Sequence, residues 1–191
     1  MNTALLLIEI QNDYFPQGKI PLEKGMDVAL KAQAVLRTFR EKKSPVVYLQ
    51  QISTRPDASY LLPCTKGAEF HPHVQPEKNE LIIKKHYPNG FRDTTLLAHL
   101  KKLQVKHLLI CGMMTHLAVD ATARAAYDFG FSCSVLHDAC TTHDLRFNQL
   151  HIPAQNVHHA FLAALHPTYA ALMSTEECLQ KIGNRAKATV T

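Results

Sequence analysis

The chain has 191 residues, 46% hydrophobic and 19% charged, with 7 Gly, 10 Pro and a formal net charge of +5. That length suits one αβ domain with a substantial core, and the composition excludes disordered, collagen-like and low-complexity classes. No apolar run approaches the roughly 20 residues of a membrane helix. The basic residues are scattered, and Arg37, Arg40, Lys42, Lys43, Lys101, Lys102 and Lys106 fall near predicted helix ends. Cations there favour the helix macrodipole, and no nucleic-acid-reading motif accompanies them, so neither nucleic acid nor membrane is an expected partner. The cysteines at 64, 111, 133, 140 and 178 form no CxxC pair. The N-terminus lacks a basic segment and a small-residue cleavage site, so free thiols in a reducing cytoplasm are expected.

Residues 3–10 (TALLLIEI) form an apolar run that reads as a strand buried on both faces. A loop with Pro16 and Gly18 follows, then a helix over 24–43 with Val28, Ala32, Val35, Leu36 and Phe39 at helical spacing. Ser44-Pro45 breaks it, and Val46–Gln50 is the second strand. The stretch 53–79, with prolines at 56, 63, 72 and 76, is too irregular for an element.

Leu81–Lys85 is predicted as the third strand, Thr94–Gln104 as a helix and His107–Gly112 as the fourth strand. An Ala-rich helix over Thr115–Phe129 ends at Gly130, and Phe131–Leu136 is the fifth strand. A helix near 154–165, a short strand at 169–173 and a capped helix from Ser174 complete the chain. Strands alternating with helices, without repeat or linker, predict one domain over 1–191: a three-layer αβα fold on a six-stranded, mainly parallel sheet.

Ligands of such sheets bind outside the carboxyl ends of the strands. Glu9 lies near the end of the first strand, Lys85 ends the third, and Gly112-Met113-Met114-Thr115-His116 leads from the fourth into a helix. Singly these read as a buried acid, a surface lysine and a connection. Together they place a carboxylate, an ammonium and a helix N-terminus at the ligand-binding edge.

Three blocks carry a family resemblance: Glu9-Ile10-Gln11-Asn12-Asp13-Tyr14-Phe15, Lys85-His86-Tyr87-Pro88-Asn89-Gly90-Phe91 with Thr94-Thr95-Leu96, and Gly112 through Arg124. In order and spacing they resemble the isochorismatase-like hydrolases, also called cysteine hydrolases, over about residues 3–175. The resemblance implies a Rossmann-like fold, a small-molecule substrate, a homo-oligomer (dimer or tetramer) and a cis peptide between Met113 and Met114. Amide-cleaving members use an Asp–Lys–Cys triad, matched here by Glu9, Lys85 and Ala118. A methyl group cannot be a nucleophile, and Cys111, in the preceding strand, is expected to be buried rather than a substitute. True isochorismatases carry a small residue at that position and hydrolyse a vinyl ether, which implies Glu9 as general acid. Three readings stay open: vinyl-ether hydrolysis, an amidase-branch relative whose nucleophile position is Ala118, and a non-catalytic small-molecule binder.

Gln11, Phe15, Tyr87, Phe91, Met113, Met114, Thr115 and Leu117 lie in the matching blocks and are expected to line the substrate pocket, Phe15, Tyr87 and Phe91 as an aromatic wall. Glu9 and Lys85 are expected to face each other across that pocket, above the turn containing Ala118. Nicotinamidases of the family hold a metal with an Asp and two His, but Asp57, His71 and His73 lack a clear match to that pattern, and His158-His159 has no acid at matched spacing, so no metal and no cofactor are expected.

Overall fold

An apolar run of six residues can be buried on both faces only inside a sheet covered by helices, and the first strand occupies that place. In the computed structural model, which describes residues 2–188, β1 (Thr3–Ile8) is followed by α1 (Gly25–Glu41), β2 (Val46–Gln51), β3 (Leu81–Lys85), α2 (Leu96–Lys102) and β4 (His107–Met113). A wide π-type turn (Thr115–Val119) runs into α3 (Asp120–Asp128). Then come β5 (Ser132–Thr141), β6 (Leu145–Phe147), β7 (Leu150–Ile152), α4 (Ala154–Leu165), β8 (Ala171–Met173) and α5 (Thr175–Ala188). Six strands form one sheet in the order β3-β2-β1-β4-β5-β8, every neighbouring pair parallel. α1 packs with α5, and α3 with α4, as the helical layers. This is the expected three-layer αβα fold. No helix among the described residues is long and apolar enough to cross a membrane.

Leu5, Leu6, Leu7 and Ile8 are buried to within 1%. Each such side chain contributes roughly 1.5–3 kcal/mol by leaving water, which makes the central strand the anchor of the core. α1 adds Val28, Ala32, Val35, Leu36 and Phe39, the apolar face predicted from their spacing. Ser174 and Glu177 close a reciprocal capping box at the start of α5: each side chain accepts from the other's backbone N–H, at 3.1 and 2.8 Å.

The structure corrects several boundaries. The first strand stops at Ile8 rather than at residue 10, because Glu9 takes a left-handed backbone conformation (φ 50°) and turns the chain out of the sheet. The helix expected over 94–104 spans 96–102, and the strand expected at 169–173 spans 171–173. β5 runs past Leu136 to Thr141, with a register shift against β4 between Ile110 and Gly112. The β6–β7 hairpin was not expected from the sequence. Its strands are only three residues long, too short for alternation to register, and they form a separate antiparallel pair.

Chain order reverses between β1 and β4: the chain moves outward from β1 to β2 and β3, then returns to place β4 on β1's other side. The carboxyl ends of these two strands flank the crevice where such folds bind ligands. Here the strands approach closely. Gly112 has φ 133°, and a Cβ on it would lie 2.0 Å from the carbonyl oxygen of Ile8. Gly112→Ala therefore forces backbone against backbone. Urea unfolding should show a loss of about 3 kcal/mol or more, or no soluble folded protein; a loss below 1 kcal/mol would contradict this packing.

Candidate active site

The left-handed turn at Glu9 directs its side chain out of the alternation of β1 while the backbone stays anchored. Glu9 N–H donates to the Leu49 carbonyl at 2.9 Å, and the Glu9 carbonyl accepts from Gln11 N–H at 2.8 Å. A non-glycine residue in this region costs energy that the surroundings must offset, and such residues gather at functional sites. Its carboxylate meets Lys85 from the end of β3, two strands away. The Lys85 ammonium donates to Glu9 Oε1, to Gln51 Oε1 at 2.8 Å and to the carbonyls of Tyr87 at 2.8 Å and Pro88 at 3.3 Å. An ammonium has three N–H groups, so every donor of Lys85 is engaged within the protein. Its side chain is fully buried and that of Glu9 is 5% exposed.

Tyr14 supplies the other half of the carboxylate's shell. Its hydroxyl donates to Glu9 Oε2 at 3.0 Å. Burial, reinforced by the adjacent Glu9, pushes this phenol well above its ordinary range, so it stays protonated and acts as a donor. Tyr60, whose ring lies 6.3 Å from that of Tyr14, is shifted upward by the same two causes.

Gln11 and Gln51 hold these strand ends together. Gln11 Nε2 donates to the carbonyls of Gln51 at 2.9 Å and Ala68 at 2.7 Å, while Gln11 Oε1 accepts from Gln51 N–H at 2.8 Å. The Gln11 amide is fully engaged in tying β1's exit to β2 and to the 66–68 turn.

After β4 the chain passes through the cis peptide Met113–Met114 into the π-type turn. That turn widens the helical start by one residue per turn, a geometry common at functional sites. Two hydrogen bonds fix it from outside: Thr115 Oγ1 with His158 Nδ1 at 2.9 Å, and His116 Nδ1 with Thr142 Oγ1. Burial, with a neighbouring histidine in each case, lowers His116 and His158 to about 4, so both imidazoles are neutral at ordinary pH. His158 also borders a polar cavity of about 400 Å³, with Lys24, His137, Thr141 and His159. Ala118 lies inside the turn and is 2% exposed.

No buried thiol stands ready to replace a nucleophile at 118. Cys111, inside β4, is pushed well above the ordinary thiol range by burial. Burial raises Cys133 and Cys140 to about 12 and Cys178 to about 11. These side chains are small hydrophobic fillers rather than thiolates.

The arrangement corrects the expected facing geometry. Glu9 and Lys85 do not stand across a pocket; they touch, because each is a charge buried where only the other can compensate it. Phe91 is buried and packs against Phe129 and Phe131, at 5.1 and 6.2 Å between centroids. Phe15 stacks on His71 at 3.8 Å. Tyr87 lies at the surface under the Arg92 guanidinium, 3.6 Å away, and only its backbone carbonyl reaches Lys85. Leu117 points outward, Thr115 is held by His158, and Met113 and Met114 are buried beside the turn. Tyr14 and Gln51 were missed, although Tyr14 lies inside the first motif, five residues after Glu9. Among the described residues no three His, Cys, Asp or Glu side chains converge as a metal site.

A buried charge whose partner is removed is left uncompensated. Lys85→Met should destabilise the fold by about 3–5 kcal/mol, and adding Glu9→Gln should restore most of that loss. Urea unfolding of the single and double variants measures this coupling; strictly additive losses would contradict it.

Comparison with known proteins identifies the fold's family. Residues 3–177 match the isochorismatase domain model. The isochorismatase family protein YddQ of Bacillus subtilis is 43% identical over 180 residues, covering 94% of this chain and 100% of that protein. A streptothricin hydrolase of Streptomyces noursei is 32% identical over 142 residues, 74% of this chain and 50% of that protein. The crystal structure of an isochorismatase hydrolase from Oleispira antarctica superposes with a TM-score of 0.90 at 42% identity, covering 94% and 96% of the two chains. With the family model spanning nearly the whole sequence and the same fold in a relative of this identity, the chain belongs to the isochorismatase-like hydrolases.

Proposed function

We propose that this protein hydrolyses a small anionic vinyl ether of the isochorismate type, with Glu9 as proton donor and water, rather than a thiol, as nucleophile. The observation that carries this reading is the buried cluster of Glu9, Lys85 and Tyr14, in a chain whose position 118, matched to the family nucleophile, carries only a methyl group. Glu9 protonates the terminal methylene carbon of the vinyl ether, and the adjacent carbon becomes an oxocarbenium centre. Water adds to that carbon and loses a proton, and the resulting hemiketal collapses to a 2-oxo acid and an alcohol. General acid catalysis of this kind contributes roughly 10²–10⁴-fold.

The resting cluster sets a condition on the substrate. Lys85 and Tyr14 both donate to Glu9 and favour its ionised form. A substrate carboxylate brought against Glu9 opposes that preference and draws a proton onto the carboxyl group. Anionic vinyl ethers thus prepare their own acid. Lys85, with its donors engaged, balances and positions Glu9 instead of clamping the substrate.

A second reading is an amide-cleaving relative without its nucleophile; it is favoured by the Gly112–His116 turn and by 29% identity over 146 residues to a nicotinamidase of Arabidopsis thaliana. We also read the whole chain as one working domain and the protein as a homo-oligomer, with Leu117 of the site turn and Phe147 and Leu150 of the hairpin exposed for contact. Light scattering at micromolar concentration should give at least a dimer; a monomer overturns that part.

Turnover of isochorismate and of nicotinamide tests the two chemistries. On the vinyl-ether reading, isochorismate is hydrolysed, Glu9→Gln lowers its rate at least 10²-fold, and thiol alkylation of the native protein leaves it unchanged. If the parent hydrolyses neither compound and Ala118→Cys gains nicotinamide hydrolysis, the acid mechanism is wrong and the second reading holds.

A further inference from the structure

The family motifs single out Glu9, yet the group that donates to the second oxygen of its carboxylate lies five residues further on. Oε1 is taken by Lys85, which leaves Oε2 as the oxygen available for proton transfer. The hydroxyl of Tyr14, 1% exposed, donates to that oxygen at 3.0 Å. A carboxylate oxygen has two lone-pair directions, so this bond occupies one and leaves the other for a substrate.

We infer that Tyr14 is a positioning residue for Glu9: its hydroxyl fixes the direction of the second Oε2 lone pair and, as a donor to that oxygen, stabilises the charged carboxylate. The inference rests on the reading of Glu9 as the proton-transfer group, and it deepens that reading by assigning a second donor the family triad lacks.

The surroundings of Glu9 make Tyr14 separable from other influences. The titratable groups facing this carboxylate are Lys85 from β3, Tyr14 from the short turn after β1, and Tyr60 from the segment crossing above it. Asp13 lies next to Tyr14, but its Oδ1 and Oδ2 accept from the backbone N–H groups of Lys19 at 3.2 Å and Leu61 at 2.6 Å, so it is tied to a different part of the loop. Of the two tyrosines, it is Tyr14 whose hydroxyl donates to Glu9. Its ring packs in the core whether or not the hydroxyl is present. Phenylalanine at 14 therefore removes the donor and keeps the packing.

The test reads the carboxyl group directly and needs no substrate. With 13C-labelled glutamate, the Glu9 carboxyl resonance is assigned by its loss in Glu9→Gln and followed against pH in the parent and in Tyr14→Phe. Losing a donor to the charged form should move the midpoint of Glu9 upward by about one pH unit, a tenfold gain in proton affinity. A midpoint that stays in place or moves down, in a variant with the parent's circular dichroism and melting behaviour, overturns the inference. If Tyr14→Phe does not fold, the parent carries the second readout. The hydroxyl proton of Tyr14 must then shift with the same midpoint as the Glu9 carboxyl carbon, and a hydroxyl signal indifferent to that titration overturns the inference. Because the titration is read without turnover, it stands apart from the functional reading, which fails instead if Glu9→Gln keeps full hydrolytic activity.

Discussion

The contact between Glu9 and Lys85 is the constraint around which the site is organised. Each charge is buried, and removing one from water alone would cost several kcal/mol. Their attraction compensates only with the remaining donors and acceptors satisfied, and the chain supplies these from separate segments. Tyr14 donates to the second carboxylate oxygen, and Gln51 and the carbonyls of Tyr87 and Pro88 accept from the ammonium. The strand ends that carry these groups are held in register by the Gln11–Gln51 clamp. The left-handed backbone at Glu9 is tolerated because this network depends on it.

The turn after β4 is secured differently. No charge is buried there. Gly112 lets β4 pass against Ile8 without a side chain, and two neutral histidines, held uncharged by burial, hydrogen-bond to Thr115 and Thr142. A thiol in this turn would sit at the start of a helix, where the macrodipole favours its ionised form. Ala118 occupies that place, while the chain's buried cysteines lie in surroundings that favour the protonated form. The helix start that would favour a thiolate is thus present without the sulfur.

Much of the fold was legible because parallel strands buried on both faces must be apolar throughout, as in Ala4–Ile8 and Leu108–Cys111, and because helices on a sheet must carry an apolar stripe, as α1 does. That Glu9 and Lys85 stand at the carboxyl ends of their strands was legible from the alternation of these elements, and ligands of such sheets gather at that edge. Aromatic residues within the motifs were less informative. Phe91 and Tyr87 share a block with Lys85, but one ring enters the core beside Phe129 and Phe131 while the other lies outside under Arg92. Nothing local distinguishes those two fates.

The sequence by itself therefore determined the layered αβ architecture and the family, and singled out Glu9 and Lys85 as charges at the strand ends, because burial pattern, motif order and side-chain chemistry are local properties. Tertiary structure alone decided where β1 ends, that Glu9 and Lys85 touch rather than face each other across a gap, that Gln11 clamps strands, and that Tyr14 and Gln51 complete the charge network. These depend on which groups a fold removes from water together, and a buried charge takes its partners from whichever segments reach it, however far apart they lie along the chain.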